Sequence, residues 1–250
     1  MQPTTRPSRD SLKGYSAEFL ERHEPSDQQK GLPCPPIQRE PGEQQQIFEL
    51  PEPSPGVVRT CSIFECIMKR KSHRAFKKEA LMLEELSFLL WAAQGVRETT
   101  GAHVLRTVPS AGNRHPLDTW LAIFQVKGLE PGLYRYLPLG HRLVRDRQVP
   151  ELKASLSEAC CGQRFAGESA VTFIWTAVPY RTEWRYGTSQ HKAILEDAGH
   201  ACQNLYLAAE AIGCGACAIG AYMQELCDHI LGVDGIDEFT LYLAPVGRVE

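Results

Sequence analysis

The feature of this sequence that most constrains its fold is a long helical stripe of mostly small apolar residues between positions 189 and 212. The residues that recur at helical spacing along it are Ile194, Ala198, Ala201, Cys202, Leu205, Ala208, Ala209 and Ile212. Small side chains let helices approach one another closely. The stripe therefore predicts either the central helix of a core or a helix of a subunit interface.

The rest of the pattern predicts a mixed fold. Residues 171–178 form a continuous apolar run rich in β-branched and aromatic side chains, which is typical of a strand buried on both faces in the middle of a sheet. Further strands are predicted at 117–126, 132–136, 142–144, 214–219 and 239–246, and helices from 62 and at 83–94, 150–160 and 224–231. The elements follow no regular βαβ repeat. We therefore predict an α+β domain with helices packed on a mainly antiparallel sheet.

The 250 residues suffice for one domain with a full hydrophobic core. Residues 1–55 hold much of the proline and glutamine and show no sustained apolar period. We interpret them as a linker, or as an arm lying on a partner surface, that carries no chemistry. Residues 56–250 are then the folded domain, and Ser62 with Glu65 predicts a capping box at its first helix.

Charge and motifs exclude several classes of protein. The formal net charge of −3 gives no electrostatic case for nucleic acid or an anionic membrane as partner. No apolar window is long enough to span a bilayer, and the first residues lack the order of a secretory signal, so we expect a cytoplasmic protein. The dinucleotide-binding glycine motif, the Walker motif and the serine-hydrolase motif do not occur. Any chemistry is then expected to come from a bound organic cofactor.

The cysteines are numerous but do not predict a metal centre. There are nine, and an odd number in a chain without a secretory signal argues against a disulfide framework. Cys214 and Cys217 form a Cys-x-x-Cys pair that would be redox-active, or half of a zinc site completed by His191 and His200. No second pair follows at ligand spacing. We therefore predict no metal and interpret these cysteines as small buried apolar residues.

Two polar segments carry the candidate site. Residues 109–116, Pro-Ser-Ala-Gly-Asn-Arg-His-Pro, run directly into the strand predicted from 117. They offer several donors and acceptors, and Gly112 permits a close approach of the backbone. Residues 70–76, Arg-Lys-Ser-His-Arg-Ala-Phe, set two arginines and a serine in alternation just before a helix. Either segment alone is an ordinary turn or a solvated helix end, but the two together favour a site that grips a planar heterocycle.

With residues 199–248 as a third block, the chain resembles the FMN-dependent nitroreductases, most closely the branch of the SagB-type azoline dehydrogenases of peptide heterocycle biosynthesis. The third block contains Gly-His-Ala-Cys-Gln-Asn-Leu-Tyr-Leu-Ala-Ala-Glu-Ala-Ile-Gly at 199–213, Ala-Ile-Gly at 218–220 and Leu-Tyr-Leu-Ala-Pro-Val-Gly-Arg at 241–248. The resemblance covers roughly residues 60–250. It implies a nitroreductase-like fold, with a mainly antiparallel central sheet flanked by helices, and an intertwined homodimer.

The resemblance also assigns residues to an FMN site. They are Arg70, Lys71, Ser72, Arg74, Pro109, Ser110, Ala111, Asn113, His115, Ala218, Ile219, Gly220, Gly247 and Arg248. Arg70, Ser72 and Arg74 would hold the phosphate, the ribityl chain and the pyrimidine edge, and Arg248 would reach the phosphate. Those of 109–116 would come from the second subunit, where His115 would either touch the flavin or cap the loop. Residues 218–220 would aim backbone N–H groups at the flavin N5 and O4.

The activity implied by the resemblance is that of an FMN-dependent oxidoreductase that transfers hydride through flavin N5 in two steps, with NAD(P)H as electron donor and an unknown acceptor. The alternative within the family is an azoline oxidase that acts on a peptide. Those enzymes carry a Lys-Tyr pair that Arg185 and Tyr186 match here, and arginine cannot replace lysine as a base. Tyr186 remains a candidate catalytic residue or a packed core aromatic. Outside enzymes, the alternatives are a flavin-binding or partner-binding module and a cysteine-rich metal protein.

Overall fold

The protein, seen in a computed structural model that describes residues 24–59, 62–101, 103–187 and 191–250, is built on one large sheet. The strands are β1 (Ile47–Glu49), β2 (Val96–Thr100), β3 (His103–Arg106), β4 (Leu117–Ile123), β5 (Gly132–Leu137), β6 (Arg142–Arg145), β7 (Val171–Ala177), β8 (Cys214–Ala216) and β9 (Phe239–Arg248). Seven of them pair in the order β1-β6-β5-β4-β7-β9-β8, and each of these pairings is antiparallel. β2 and β3 form a separate hairpin.

Helices cover both faces of this sheet, as the α+β prediction requires. They are α1 (Ile63–Lys69), α2 (Leu83–Gln94), α3 (Leu152–Ala159), α4 (Phe165–Glu168), α5 (Tyr180–Tyr186), α6 (His191–Ala211) and α7 (Gln224–Leu231). Alternate side chains of β7 enter two separate cores because a strand has a period of two. Phe173 and Trp175 pack with α2 and α6, whereas Ile174 packs with α3, α4 and α7. The prediction of a mid-sheet strand is confirmed, since β7 lies between β4 and β9.

The stripe of small residues is the central helix of the first core. α6 packs against α2, and Ala201, Leu205 and Ala209 are completely buried along it. The predicted helix began at residue 189, and residues 188–190 lie outside the described part of the chain. The polar segments described below both contact side chains of α6.

α1 begins with the predicted capping box but does not bury its apolar side chains. The Glu65 N–H donates to Ser62 Oγ at 3.2 Å, and the Ser62 N–H donates to Glu65 Oε2 at 3.0 Å. The residues at helical spacing nevertheless remain largely exposed, and Phe64 is 70% exposed. The others on this surface are Ile63, Ile67 and Met68, at 65%, 58% and 64%. Within the described residues, this apolar face of α1 has no covering element.

The proline-rich arm is the clearest difference from the sequence prediction. Its described part, from residue 24, makes strand and side-chain hydrogen bonds to its own chain. β1 lies within it and pairs with β6 at the edge of the sheet, so the sheet begins before the expected boundary at residue 55. Buried arginines hold its carbonyl groups: Arg181 Nε donates to Pro36 at 2.9 Å and Arg106 donates to Ile37 at 3.1 Å.

Several predicted elements differ in extent. The strand predicted at 214–219 ends at Ala216, followed only by a bridge between Ile219 and Leu243. The helix α5 was not predicted at all. In the portion of the chain that the structure describes, no helix combines the length and apolar character needed to cross a membrane.

Candidate functional site

The segment 70–76 follows α1 in an extended conformation beside β8. Ser72 forms a parallel bridge with Ala216, and the His73 N–H donates to the Ala216 carbonyl at 2.9 Å. Successive side chains of an extended segment point to opposite sides. The even-numbered and odd-numbered side chains of this segment therefore face different surroundings.

Two of the even-numbered side chains, Arg70 and Ser72, contact Tyr206 of α6. Ser72 Oγ lies 3.0 Å from the Tyr206 hydroxyl, and the Arg70 guanidinium lies over the Tyr206 ring, 5.3 Å from its centroid. Arg74 is close enough to Cys217 to lower the pKa of that thiol in part, against the stronger effect of burial. Arg70 and Ser72 thus contact Tyr206, and Arg74 lies near Cys217.

Lys71 lies apart from that group. Together with His73 it borders a cavity of about 390 Å³, which Arg59 and Glu210 also line. Burial, and next the charge of Lys71, lower the pKa of His73. The structure therefore brings Lys71 to the opposite side of the segment from the other predicted phosphate ligands.

Arg70 and Arg74 have no acidic partner in the part of the chain that the structure describes. Among the described residues no carboxylate lies within 4.0 Å of Arg70 or Arg74. Guanidinium groups without a carboxylate are well suited to phosphate, which they bind through two parallel N–H donors. This side of the segment is therefore a candidate anion site.

The backbone N–H groups of residues 218–220 are not equally available to a ligand. The Ala218 N–H donates to the Tyr206 hydroxyl at 2.6 Å, and the Ile219 N–H donates to the Leu243 carbonyl at 2.8 Å. Gly220 is exposed, and a Cβ built on it would meet no atom within 4 Å. Of the three predicted donors, Gly220 alone faces open space.

Arg248 at the end of β9 already has a carboxylate partner. Its Nη2 donates to both oxygens of Glu85 at 2.6 and 2.7 Å, and Nη1 donates to the Ile212 carbonyl at 3.1 Å. Arg248 Nε is buried and makes no hydrogen bond to the described residues, although an oxygen of Glu79 lies 3.6 Å away. One N–H of Arg248 therefore remains for a further acceptor, next to Gly247, while the rest of the guanidinium ties β9 to α2.

The second polar segment forms a tight turn before β4. Residues 111–113 make one 3-10 turn, in which Gly112 and Asn113 both have φ of 58°, and His115 has φ of 48°. Ser110 Oγ closes the turn by accepting the His115 N–H at 2.8 Å. Left-handed backbone at non-glycine positions is uncommon and is held here by the side-chain hydrogen bonds of the loop.

His115 holds this loop from inside. It is 3% exposed, and its Nε2–H donates to the Val104 carbonyl at 2.8 Å and to Asn113 Oδ1 at 2.7 Å. Burial, and next the charge of Arg106, lower the pKa of His115 to about 3. His115 is therefore neutral, and of the two predicted roles the structure supports capping the loop.

The loop packs between α5 and α6. The Ala111 N–H donates to Asp197 Oδ1 at 3.3 Å, and burial raises the pKa of Asp197 while hydrogen bonds from Ser110 and Ala111 lower it in part. On the other side, a Cβ on Gly112 would collide with the Tyr186 hydroxyl and the Arg185 side chain. Only glycine fits at position 112, and the Arg185–Tyr186 pair lies directly against the loop.

A cavity of about 500 Å³ opens between α5, α6 and the start of β9. Its walls are mainly apolar and include Tyr180 and Leu195. At its edge His191 Nε2 lies 2.6 Å from Glu183 Oε1. The cavity offers space for an apolar group with polar side chains at one edge.

The two halves of the candidate site lie on different parts of α6. Asp197 contacts the loop 109–116, whereas Tyr206 contacts Ser72 and Ala218. The nine positions between Asp197 and Tyr206 correspond to about 13.5 Å and about 2.5 turns, which sets the two side chains on opposite faces of the helix. Within one chain the two halves therefore do not converge.

Two residues that join these segments were not predicted from the sequence. Asp197 and Tyr206 lie at the two edges of the stripe of small residues, where the pattern indicates only core packing. The one available signal was that both place polar atoms beside an apolar stripe, since buried polar groups need partners.

The Cys-x-x-Cys pair has the character of buried structural thiols. Burial raises the pKa of Cys214 to about 11 and also raises that of Cys217. A protonated thiol is a poor nucleophile and a poor metal ligand. Among residues 24–59, 62–101, 103–187 and 191–250, no group of three or more His, Cys, Asp or Glu side chains is arranged to hold a metal ion.

Comparison with known proteins gives a consistent family match. The sequence model of the nitroreductase family matches residues 67–248. A protein of Methanocaldococcus jannaschii that is named as a nitroreductase is 35% identical over 193 residues, which cover 76% of this chain and 93% of that protein. A crystal structure of a protein from Ralstonia eutropha, also named as a nitroreductase, superposes with a TM-score of 0.67 at 29% identity, over 84% of this chain and 92% of that chain.

A second relative bears the name of a peptide-processing protein. The trifolitoxin-processing protein TfxB of Rhizobium leguminosarum bv. trifolii is 26% identical over 179 residues. The match covers 68% of this chain and 48% of that protein. The similarity therefore spans the same domain but only about half of the relative.

Proposed function

The chain belongs to the nitroreductase family, and on that premise we propose that it is an FMN-dependent oxidoreductase whose flavin sites are each shared by two copies of the chain. The oxidoreductase class follows from the family, whose members generally bind flavin. The single observation that carries the proposal is the pair of arginines, Arg70 and Arg74, beside Ser72 and the open backbone at Gly220.

These residues fit a flavin phosphate and ring edge. Arg70 and Arg74, free of carboxylates within the described residues, would bind the phosphate, and Arg248 Nε would add one donor. Ser72 would bind the ribityl chain, and the Gly220 N–H would face the polar edge of the ring. Glycine at position 220 leaves room for a planar group to approach the backbone closely.

Sharing between two copies is supported by the separation along α6. Because Asp197 and Tyr206 lie on opposite faces of the helix, the loop 109–116 would reach the flavin bound by another copy. The exposed apolar face of α1, which directly precedes Arg70, supports the same arrangement. Exposed apolar patches of this kind mark interaction surfaces.

The protein's own residues position groups rather than attack them. Bound FMN would supply hydride transfer at N5, with NAD(P)H as the electron donor. Arg70 and Arg74 would hold negative charge, and neutral His115 would hold the loop without donating a proton to the substrate. Burial raises the thiol pKa values of Cys202, Cys214 and Cys217, and such unpaired thiols fit a reducing, cytoplasmic compartment, where nicotinamide cofactors are available.

A second candidate function, oxidation of an azoline in a peptide, is favoured by one contact. The Arg185–Tyr186 pair lies against Gly112 of the loop, so Tyr186 would be near the flavin of the other copy. The similarity to TfxB is compatible with a peptide substrate. An arginine side chain does not serve as a base in proteins, however, so this candidate would need Tyr186 or water as its base.

The proposal is tested with the purified protein and its electron donors. We expect a flavin absorbance spectrum, one FMN released per chain on denaturation, and bleaching of the flavin by NADH or NADPH in anaerobic stopped flow. A protein that neither retains nor binds added FMN would contradict the proposal. A flavoprotein that neither nicotinamide reduces would favour the peptide oxidase instead.

A further inference from the structure

We propose that Tyr206 is a positioning residue of the flavin site, because its hydroxyl joins Ser72 to Ala218 and its ring carries Arg70. This inference rests on the proposed function and adds a residue to it. Tyr206 lies on α6, whereas the residues that it contacts come from the segment before α2 and from the segment after β8. One side chain therefore fixes two separate parts of the site.

The hydroxyl is shared in a defined way. The Ala218 N–H donates to the Tyr206 oxygen at 2.6 Å, so that oxygen acts as an acceptor. The hydroxyl proton remains for Ser72 Oγ at 3.0 Å. When Tyr206 donates this proton, the hydroxyl hydrogen of Ser72 turns away from Tyr206, toward a ligand acceptor or the Cys217 thiol that Ser72 also contacts, since a serine hydroxyl has one donor and two acceptor positions.

The same contact decides which backbone donor faces the ligand. Because Tyr206 holds the Ala218 N–H and Leu243 holds the Ile219 N–H, the Gly220 N–H is the one of the three that has no acceptor among the described residues. By accepting the Ala218 N–H, Tyr206 thus fixes the conformation of residues 218–220. Loss of its hydroxyl would leave the Ala218 N–H without an acceptor, and an unpaired amide favours local rearrangement.

The ring of Tyr206 supports Arg70. The guanidinium lies 5.3 Å from the ring centroid, within the range of a cation–π contact. Tyr206 is 9% exposed and held in the first core, so the ring is a fixed surface for an otherwise mobile side chain. A guanidinium placed in advance loses less conformational entropy when it binds phosphate.

The test is Tyr206→Phe, which keeps the ring and its packing but removes the hydroxyl. We expect the Kd for FMN to rise about ten-fold, as loss of one to two hydrogen bonds predicts. Tyr134→Phe is the matched control, since its hydroxyl donates only to the Glu130 carbonyl at 2.8 Å, far from this site. We expect the control to lose similar stability in the free protein and to keep the wild-type Kd.

A double-mutant cycle separates positioning from general destabilisation. If Tyr206 acts by holding Ser72, the single variant Ser72→Ala raises the Kd for FMN. In a chain that already carries Tyr206→Phe, the same substitution raises the Kd little further. Wild-type protein that fails to bind FMN would contradict the proposed function itself. Wild-type protein that binds FMN, with an unchanged Kd in Tyr206→Phe, would overturn only the role of Tyr206. Should Tyr206→Phe fail to fold, an unchanged Kd in Ser72→Ala would overturn it equally.

Discussion

At the scale of single residues, the loop 109–116 depends on a histidine that must stay neutral. His115 is almost fully buried, its Nε2–H is used twice, and the charge of Arg106 adds to the cost of a second positive charge. The folded pKa of about 3 lies well below the ordinary value of 6.5. Protonation of His115 at low pH is therefore expected to destabilise the loop.

The sign of the effect follows from proton linkage. A depressed folded pKa contributes stability above pH 6.5 and loses it as the pH falls toward 3. Between pH 7 and pH 5 we expect His115 to account for a loss of about 2 kcal/mol in the free energy of unfolding. Urea denaturation of the free protein at both pH values measures this loss.

His115→Gln is the matched variant for that measurement. Glutamine keeps an N–H donor near the Val104 carbonyl but does not titrate in this range. We expect the variant to have a lower free energy of unfolding than the wild-type protein at pH 7. Between pH 7 and pH 5, its free energy of unfolding should fall by about 2 kcal/mol less than that of the wild-type protein. Equal losses in the two proteins would contradict the assignment of a buried neutral His115.

At the scale of elements, buried arginines fasten the N-terminal arm to the sheet. Arg135 is 2% exposed, lies over the Trp120 ring at 5.8 Å, and donates to the Arg39 and Glu40 carbonyls. Arg106 and Arg181 hold the neighbouring carbonyls in the same way. The arm is thus part of the folded domain, and its chain path depends on side chains from the sheet.

Proteolysis can measure this attachment. Arg39 has an exposed side chain but a held carbonyl, so trypsin has access to the residue without free access to its peptide bond. We expect Arg135→Met to speed cleavage after Arg39 on the order of ten-fold, through loss of two hydrogen bonds. Arg164→Met is the control, because its side chain is 81% exposed and pairs only with exposed Glu168. Equal cleavage rates in both variants would contradict the role of Arg135.

The arm also shows where sequence patterns stop being informative. α6 and α2 were predictable because their apolar side chains repeat at helical spacing, and β7 because it is buried on both faces. The arm is held mainly by hydrogen bonds that its backbone carbonyl groups accept. Because every residue carries such a group, the amino-acid pattern does not indicate which side chains will donate to it. Likewise, Tyr206 is a site residue only because α6 faces Ser72 and Ala218, which lie 134 and 12 positions away.

At the scale of the whole molecule, one helix keeps the two halves of the site apart. Asp197 holds the loop 109–116, and Tyr206 holds the group around Arg70, on opposite faces of α6. A second copy of the chain would bring a loop to each arginine group and would cover the apolar face of α1. The central claim is therefore that each flavin site is built from two chains.

Complementation between two damaged chains tests this claim most directly. The double variant Arg70→Glu, Arg74→Glu damages the phosphate half, and Pro109→Trp, at an exposed position, blocks the loop half. Each variant alone should bind no FMN. With different affinity tags, the mixed dimer can be purified from co-expressed chains, and its FMN content can be measured by absorbance after denaturation. A shared site predicts one FMN per mixed dimer, because one of its two sites receives both intact halves, whereas a mixed dimer without FMN would contradict the account.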